Sequence, residues 1–438
     1  AKVQAGLAEK RFRQGKADSL LCGIPVSLKD NFWTRGVRTT AGSKILSDFI
    51  PPKDSDVANK LLRAGAILLG KTNMHEFAYG ITNENPHYGP VRNPWNLEHI
   101  SGGSSGGSAA ALALGIGYGS IGTDTGGSIR IPSALCGTVG LKPTFGLVSV
   151  EGVVPLAKTL DHAGPLARSV TDVCIMLEAI VGIYPNGIKP PDFRKLRKSR
   201  RHKFRLGLPK QHFFECLDTE VRNAVDSSIK SFESLGATIE EVSLPHVSDS
   251  VEPTTNIALA EATQYHESQG YFPSRAAEYG EDVRCRLEMG CHIRAVDYLN
   301  AFATKQEMTR DFELALNRVD AILTPALPIA APRLGEKEVT VGTTKEAVRS
   351  ALIRFNRSAN VTGHPAISIL CGFTSEGLPI GLQLIGPFWG EARLLTIALA
   401  YEDSTKWLKR SPDLATRGGG SSAVGGCMRN LPAHSPRG

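Results

Sequence analysis

Ser101–Ser108 reads S-G-G-S-S-G-G-S, and Thr123–Ser128, a short way on, reads T-D-T-G-G-S. These two glycine-flanked serine clusters decide how the chain is read, because together they supply the parts of a hydrolytic site. A serine hydroxyl is a weak nucleophile at its free pKa and needs a base. Glycines let backbone N–H groups crowd around a developing oxyanion. Taken alone, the first cluster also has the composition of a flexible linker. The residues after it argue otherwise. Ala109–Leu114 reads A-A-A-L-A-L, a strong helix former, so the glycines lead into a buried helix whose first turn Ser105 or a neighbour is expected to cap.

A base lies upstream. Gly23–Asn31 reads G-I-P-V-S-L-K-D-N, and Lys29 ends its short apolar run just before a polar turn. A lysine there is either an ordinary surface residue at a strand end or one held partly out of water. In the second case desolvation disfavours the ammonium form, and the amine becomes neutral near pH 7 and able to accept a proton. Lys29 is therefore the candidate general base.

Together these pieces resemble the amidase signature family, the Ser-Ser-Lys hydrolases. The likeness runs from about Cys22 to Trp407 and is densest between Gly23 and Arg168. It rests on K-D-N at Lys29–Asn31, T-A-G-S at Thr40–Ser43, G-K-T-N at Gly70–Asn73 and R-N-P-W at Arg92–Trp95. G-G-S-S-G-G-S at Gly102–Ser108, D-T-G-G-S-I-R at Asp124–Arg130 and G-L-K-P-T at Gly140–Thr144 complete it. The resemblance implies that Lys29 is the base, Ser104 a bridging serine after a cis peptide bond from Gly103, and Ser128 the nucleophile of an acyl-enzyme. The backbone N–H groups of Thr125, Gly126, Gly127 and Ser128 would hold the oxyanion, with neither metal nor organic cofactor required. Ser105, Asp124 and Arg130 are candidate supports of the two loops, although Asp124 reads equally as a turn aspartate bonding its own backbone.

The machinery specifies a bond type rather than a substrate. Tyr79, Ile81 and Thr123 are candidate substrate-binding residues, with Phe32 and Trp33 as either further wall or core. An apolar lining favours small aryl or alkyl amides, anilides or carbamates; a fixed arginine near the acyl group favours a carboxylate-bearing substrate. The main expectation is an amidohydrolase of the stand-alone bacterial branch. Its alternative is the glutaminase subunit of a tRNA-dependent amidotransferase, which belongs to the same family. Such subunits usually carry a stretch rich in serine, asparagine and tyrosine where this chain has N-I-A-L-A-E-A-T-Q-Y-H, Asn256–His266. Arg354–Ala366, R-F-N-R-S-A-N-V-T-G-H-P-A, also resembles the stand-alone branch. A non-catalytic binding protein with the same fold is a third reading, opposed by the presence of Lys29, Ser104 and Ser128.

The fold class expected is α/β, a single large domain over residues 1–411 with a twisted mixed β-sheet covered by helices. Strands are predicted at Ala66–Leu69, Leu206–Leu208, Ala321–Leu323 and Ala366–Leu370, and helices at Val170–Ile180, Asp218–Leu235 and Arg393–Tyr401. Family members carry a longer helical segment ahead of the position of Ala1, so the resemblance implies a shortened one here. Residues 412–438, with G-G-G-S-S at Gly418–Ser422, read as a disordered tail. Gly65–Thr72, G-A-I-L-L-G-K-T, formally matches a phosphate loop. Its apolar interior instead predicts a strand after a helix that starts at Ser55 or Asp56 and stops at Gly65.

The remaining features point to a reduced, cytoplasmic setting. No run of eighteen apolar residues suggests a membrane span. The eight cysteines form no C-x-x-C pair, and Cys285 and Cys291 read as packing residues of one helix. The histidines show no H-E-x-x-H, so His75, His87 and His99 near the loops read as structural. The net charge of +7 is concentrated in Arg194–Arg205, which holds eight lysines and arginines and no acidic residue. Without interleaved aromatics it reads as a solvated connection rather than a nucleic-acid contact. The partner expected is a small amide or carbamate, with a homodimer left open.

Overall fold

Short apolar and β-branched runs between turn residues become strands. Ten of them pair into one sheet in the computed structural model, which describes residues 1–182, 184, 191–192, 195–196 and 203–413. In chain order these are β1 (Pro25–Lys29), β2 (Ile67–Thr72), β3 (Gly119–Asp124), β4 (Val139–Lys142) and β5 (His162–Ala167). The second half supplies β6 (Arg205–Pro209), β7 (Thr238–Val242), β8 (Ala321–Pro325), β9 (Ala366–Phe373) and β10 (Pro379–Ile385). Across the sheet they run β7-β6-β8-β10-β9-β4-β5-β3-β1-β2. The pairs β1/β2, β1/β3, β6/β7 and β6/β8 are parallel, and the five between β8 and β3 are antiparallel. The sheet is thus mixed, as expected, and helices cover it in one α/β domain.

The local signals behave as their chemistry dictates. Ser55 Oγ accepts the Ala58 N–H at 3.2 Å and opens the helix Asp56–Arg63. Gly65, at φ +80°, comes just after that helix, and the next residues form β2. The phosphate-loop lookalike is therefore strand, as predicted. Ser169 and Asp218 cap the helices Val170–Ile180 and Thr219–Ser234 with their side-chain oxygens, and the third predicted helix extends to Glu391–Ser404. Val26, Leu28, Ile121, Leu141, Leu206, Leu323, Ile367 and Leu382 put seven of these strands into one apolar core.

One expectation changes. Cys285 and Cys291 are exposed, so neither is a packing residue; Cys291 caps the helix Glu281–Gly290 at its last turn, where the chain faces solvent. Most of Arg194–Arg205 and residues 414–438 of the expected tail lie outside the described residues. Among the described residues, no helix is long and apolar enough to cross a membrane.

The helix Gly106–Ala113 is apolar except for Ser108, whose hydroxyl hydrogen-bonds that of Thr72 at 2.8 Å, and it lies against the chain that leaves β2. Gly107 N donates to Asn73 O at 3.1 Å. A Cβ on Gly107 would stand 2.3 Å from that carbonyl oxygen, and backbone on both sides leaves nothing flexible to yield. Gly107→Ala is expected to lower unfolding stability by about 1–3 kcal/mol, read by urea unfolding with an unchanged m-value.

Candidate active site

β1 and β3 are parallel neighbours with Leu28 opposite Ile121. Lys29 and Asp124 therefore both leave the sheet at its carboxyl edge, where α/β sheets place their ligands. Side chains alternate along β1. Val26 and Leu28 enter the core, while Ser27 and Lys29 take the other face, and Ser27 Oγ donates to Ser120 Oγ at 3.0 Å. Lys29 is wholly buried, more completely than the sequence suggested. Its Nζ donates to Ser104 Oγ and to Thr123 Oγ1, both at 2.7 Å. Burial pushes the amine down to about 7, against the opposing pull of Asp124 and Asp161. An amine in that range is neutral often enough to accept the Ser104 proton along the same line.

The two glycine-rich loops meet directly, with Ser105 N donating to Ser128 O at 3.2 Å. The Gly103–Ser104 peptide is cis, as the resemblance implied. Ser105 precedes the helix Gly106–Ala113 but does not cap it. Its Oγ donates instead to Thr123 O at 3.2 Å, because the loop turns that hydroxyl back onto β3. Thr123 also stands apart from the expected substrate wall, its hydroxyl accepting from both Lys29 Nζ and Asn31 Nδ2.

Asp124 organises the loop that carries Ser128. Its two carboxylate oxygens accept from Gly127 N at 2.8 Å and Ile129 N at 3.1 Å. They also accept from Arg130 Nη2 at 3.0 Å, Arg130 Nε at 3.1 Å and Asn360 Nδ2 at 2.8 Å. Burial alone would raise this carboxyl, but the guanidinium and amide contacts overcome it and hold the group well below the usual carboxylate range. Arg130, also fully buried, reaches on to Gln383 Oε1 and Asn360 Oδ1, each at 2.6 Å. The Gly127 N–H, expected among the oxyanion donors, is thus already engaged by Asp124. Thr125, Gly126 and Ser128 border open space. Thr125 Oγ1 donates to Asp161 Oδ1 at 2.5 Å; burial raises the Asp161 carboxyl to about 6, against that hydrogen bond.

That space is a cavity of about 280 Å³ bordered by Tyr79, Ile81 and Ser128. Phe32 lies in the core and Trp33 packs edge-on to Phe49, so neither forms the wall. His75, His87 and His99 tie loops together through Asp282, Glu76 and the Ala331 carbonyl. Among the described residues, no group of three or more His, Cys, Asp or Glu side chains could hold a metal. The far wall comes from chain distant in sequence: Thr254, Ala258 and Leu259 on the helix Val251–Ser268, Arg286 and Met289, and Arg349, Ile353 and Arg357. Of the three wall arginines, Arg357 alone lies in a stretch that the sequence singles out.

The family model for amidases matches residues 1–395, and the chain belongs to the amidase family, amidase-signature hydrolases that act on C–N bonds. The A subunit of glutamyl-tRNA(Gln) amidotransferase from Geotalea daltonii is 42% identical over 434 residues, covering 93% of this chain and 88% of the relative. The solved protein of the same name from Thermotoga maritima is 36% identical with a TM-score of 0.75, over 89% of this chain and 84% of that one. An inhibitor-bound vestigial protein complex bearing on the origins of an s-triazine catabolic enzyme gives a TM-score of 0.86 at 33% identity. It covers 92% of this chain and 89% of its own.

Replacing Asp124 by Asn leaves the buried Arg130 guanidinium without its counter-charge. The expected loss is about 3–5 kcal/mol of stability, measured by chemical denaturation at pH 7.

Proposed function

We propose that this chain hydrolyses an amide C–N bond through an acyl-enzyme on Ser128, as the amide-hydrolysing member of an amidotransferase-type complex that draws ammonia from glutamine. The observation that carries the chemistry is the buried Lys29–Ser104 contact beneath a serine that opens to a cavity. Neutral Lys29 takes the Ser104 proton while Ser104 takes that of Ser128, and Ser128 Oγ attacks the amide carbon. The carbonyl oxygen, now anionic, is held by the N–H groups around Thr125, Gly126 and Ser128. The C–N bond breaks as the proton returns through Ser104 to the nitrogen, which leaves as ammonia. Water then attacks the ester and restores Ser128.

The names of the relatives at about 40% identity support this place in a complex, which reverses the order of preference drawn from the sequence. A stand-alone hydrolase of small amides or carbamates is the second reading, and two observations favour it. The helix carrying Asn256–His266, the stretch unlike that of the amidotransferase subunits, forms part of the cavity wall through Ala258 and Leu259. Among the described residues, the wall also contains no acidic side chain to meet the ammonium group of glutamine.

Intact-mass analysis with a fluorophosphonate probe is expected to add one adduct at Ser128 and none to Ser128→Ala. Ser128→Ala and Lys29→Ala should each cut turnover by at least about 10³-fold, with no further loss in the double variant, because the groups act as a unit. Only the neutral amine accepts a proton, so kcat/KM should rise with pH through about 7 and level above it. A flat profile would sink Lys29 as base. Glutamine turnover that needs added partner proteins supports the first reading, and turnover of simple amides by the chain alone supports the second.

A further inference from the structure

Three polar groups in the wall of the Ser128 cavity have donors that meet nothing. Arg349 Nη1, Arg357 Nε and the Tyr79 hydroxyl are closed off from solvent and find no hydrogen-bond partner, although all three residues line the cavity. Arg286, the third arginine there, differs: it donates to Tyr79 O and pairs with Asp282 at 2.9 Å. Among the described residues, no such ion pair reaches Arg349 or Arg357. Burial pushes the Arg349 guanidinium down to about 9, aided by Arg286, and that of Arg357 to about 10. Both remain charged at neutral pH. Both side chains are half-buried at the cavity wall and each leaves a closed-off N–H without a partner, a cost that an anionic ligand reaching those donors removes.

The two arginines are also held in fixed relation to the nucleophile. Arg349 lies on the helix Val348–Ile353 and Arg357 opens the helix Arg357–Thr362. Between them, Ile353 Cδ1 stands 2.9 Å from the place a Cβ would take on Gly126, and Asn356 Cβ 2.7 Å from that on Gly127. Asn360 of the second helix donates to Asp124 at 2.8 Å. The helices therefore pack directly on the loop that carries Ser128.

We propose that Arg349 and Arg357, with the Tyr79 hydroxyl, bind a carboxylate on the substrate, so that the cavity selects short amides bearing an acid group at the end away from the scissile carbonyl. A carboxylate offers two oxygens to several donors, and guanidinium forks match that geometry. The cavity of about 280 Å³ falls just below the range of about 300–1,000 Å³ usual for ligand pockets, which limits the spacer to a few carbons. The assignment rests on Ser128 as the acylated residue but not on glutamine as the donor.

The test compares two matched pairs on the full chain, succinamate against butyramide and glutaramate against valeramide, in which a carboxylate replaces a methyl group. Wild type is expected to prefer the carboxylate member of at least one pair by tenfold or more in kcat/KM. Arg349→Gln and Arg357→Gln should each lower kcat/KM for that carboxylate by about 10- to 100-fold, mainly through KM. The loss on its uncharged match should be at least tenfold smaller, and Arg349→Lys should recover part of the preference. A second arm needs no turnover: calorimetric binding of glutarate to Ser128→Ala, expected to weaken at least tenfold when Arg349→Gln is added. Equal losses on both members of a pair, or no glutarate binding, overturn the proposal. If no amide is turned over, the binding arm decides alone. An absent fluorophosphonate adduct, or turnover by Ser128→Ala, would defeat the acyl-enzyme reading instead and leaves the calorimetry unaffected.

Discussion

The ion pair between Asp124 and Arg130 joins almost everything that matters in this molecule. Both side chains are fully buried, so the charges could not persist apart; the pair holds because hydrogen bonds surround both partners. Asp124 ends β3 and gathers the N–H groups of the loop after it, while Arg130 begins the helix Arg130–Cys136 and reaches across to Gln383 of β10. Asn360 touches both partners and belongs to the helix that Arg357 opens. One buried charge pair thus fixes the Ser128 loop against the sheet and fixes the arginine-bearing wall against the loop.

Lys29 illustrates the opposite use of burial. Asp124 and Asp161 are near enough to favour its charge but make no ion pair with it, so desolvation wins and the amine falls to about 7. The same low-dielectric interior keeps one group ionised and lets another go neutral. The difference lies in contact. Arg130 touches Asp124 through two nitrogens, whereas the Lys29 contacts are hydroxyls and a carbonyl. An amine near neutrality and a rigid anionic anchor are thereby placed one strand apart, with β1 carrying the first and β3 the second.

The cavity obeys the same logic on its outer side. Tyr79, Ile81 and Ser128 belong to the amino-terminal third of the chain, and Arg349 and Arg357 belong to the carboxyl-terminal third. The two halves of the wall meet only because the helices after β8 fold back over the loop that leaves β3. Glycines at 126 and 127 leave room for that approach, and Gly127 at φ +125° adopts a backbone conformation that other residues resist.

Much of this was written locally. Ser55, Ser169 and Asp218 announce helix starts through short-range capping, and the apolar runs of β6, β8 and β9 announce buried strands, whereas the equally apolar run of β2 forms the half-exposed edge of the sheet. The family resemblance carried by the motifs likewise pointed to Lys29, Ser104 and Ser128, because those motifs are contiguous stretches of sequence. Other features were decided only by tertiary structure: the turning of Ser105 away from its helix, the siting of Thr123 beside Lys29, and the convergence of Arg349 and Arg357 on the cavity. Each depends on which remote side chain arrives within hydrogen-bond range and on how much water is displaced when it does. Chain order alone specifies the donors and acceptors, but only the packed sheet and its helices determine which of them meet and which are left buried without a partner.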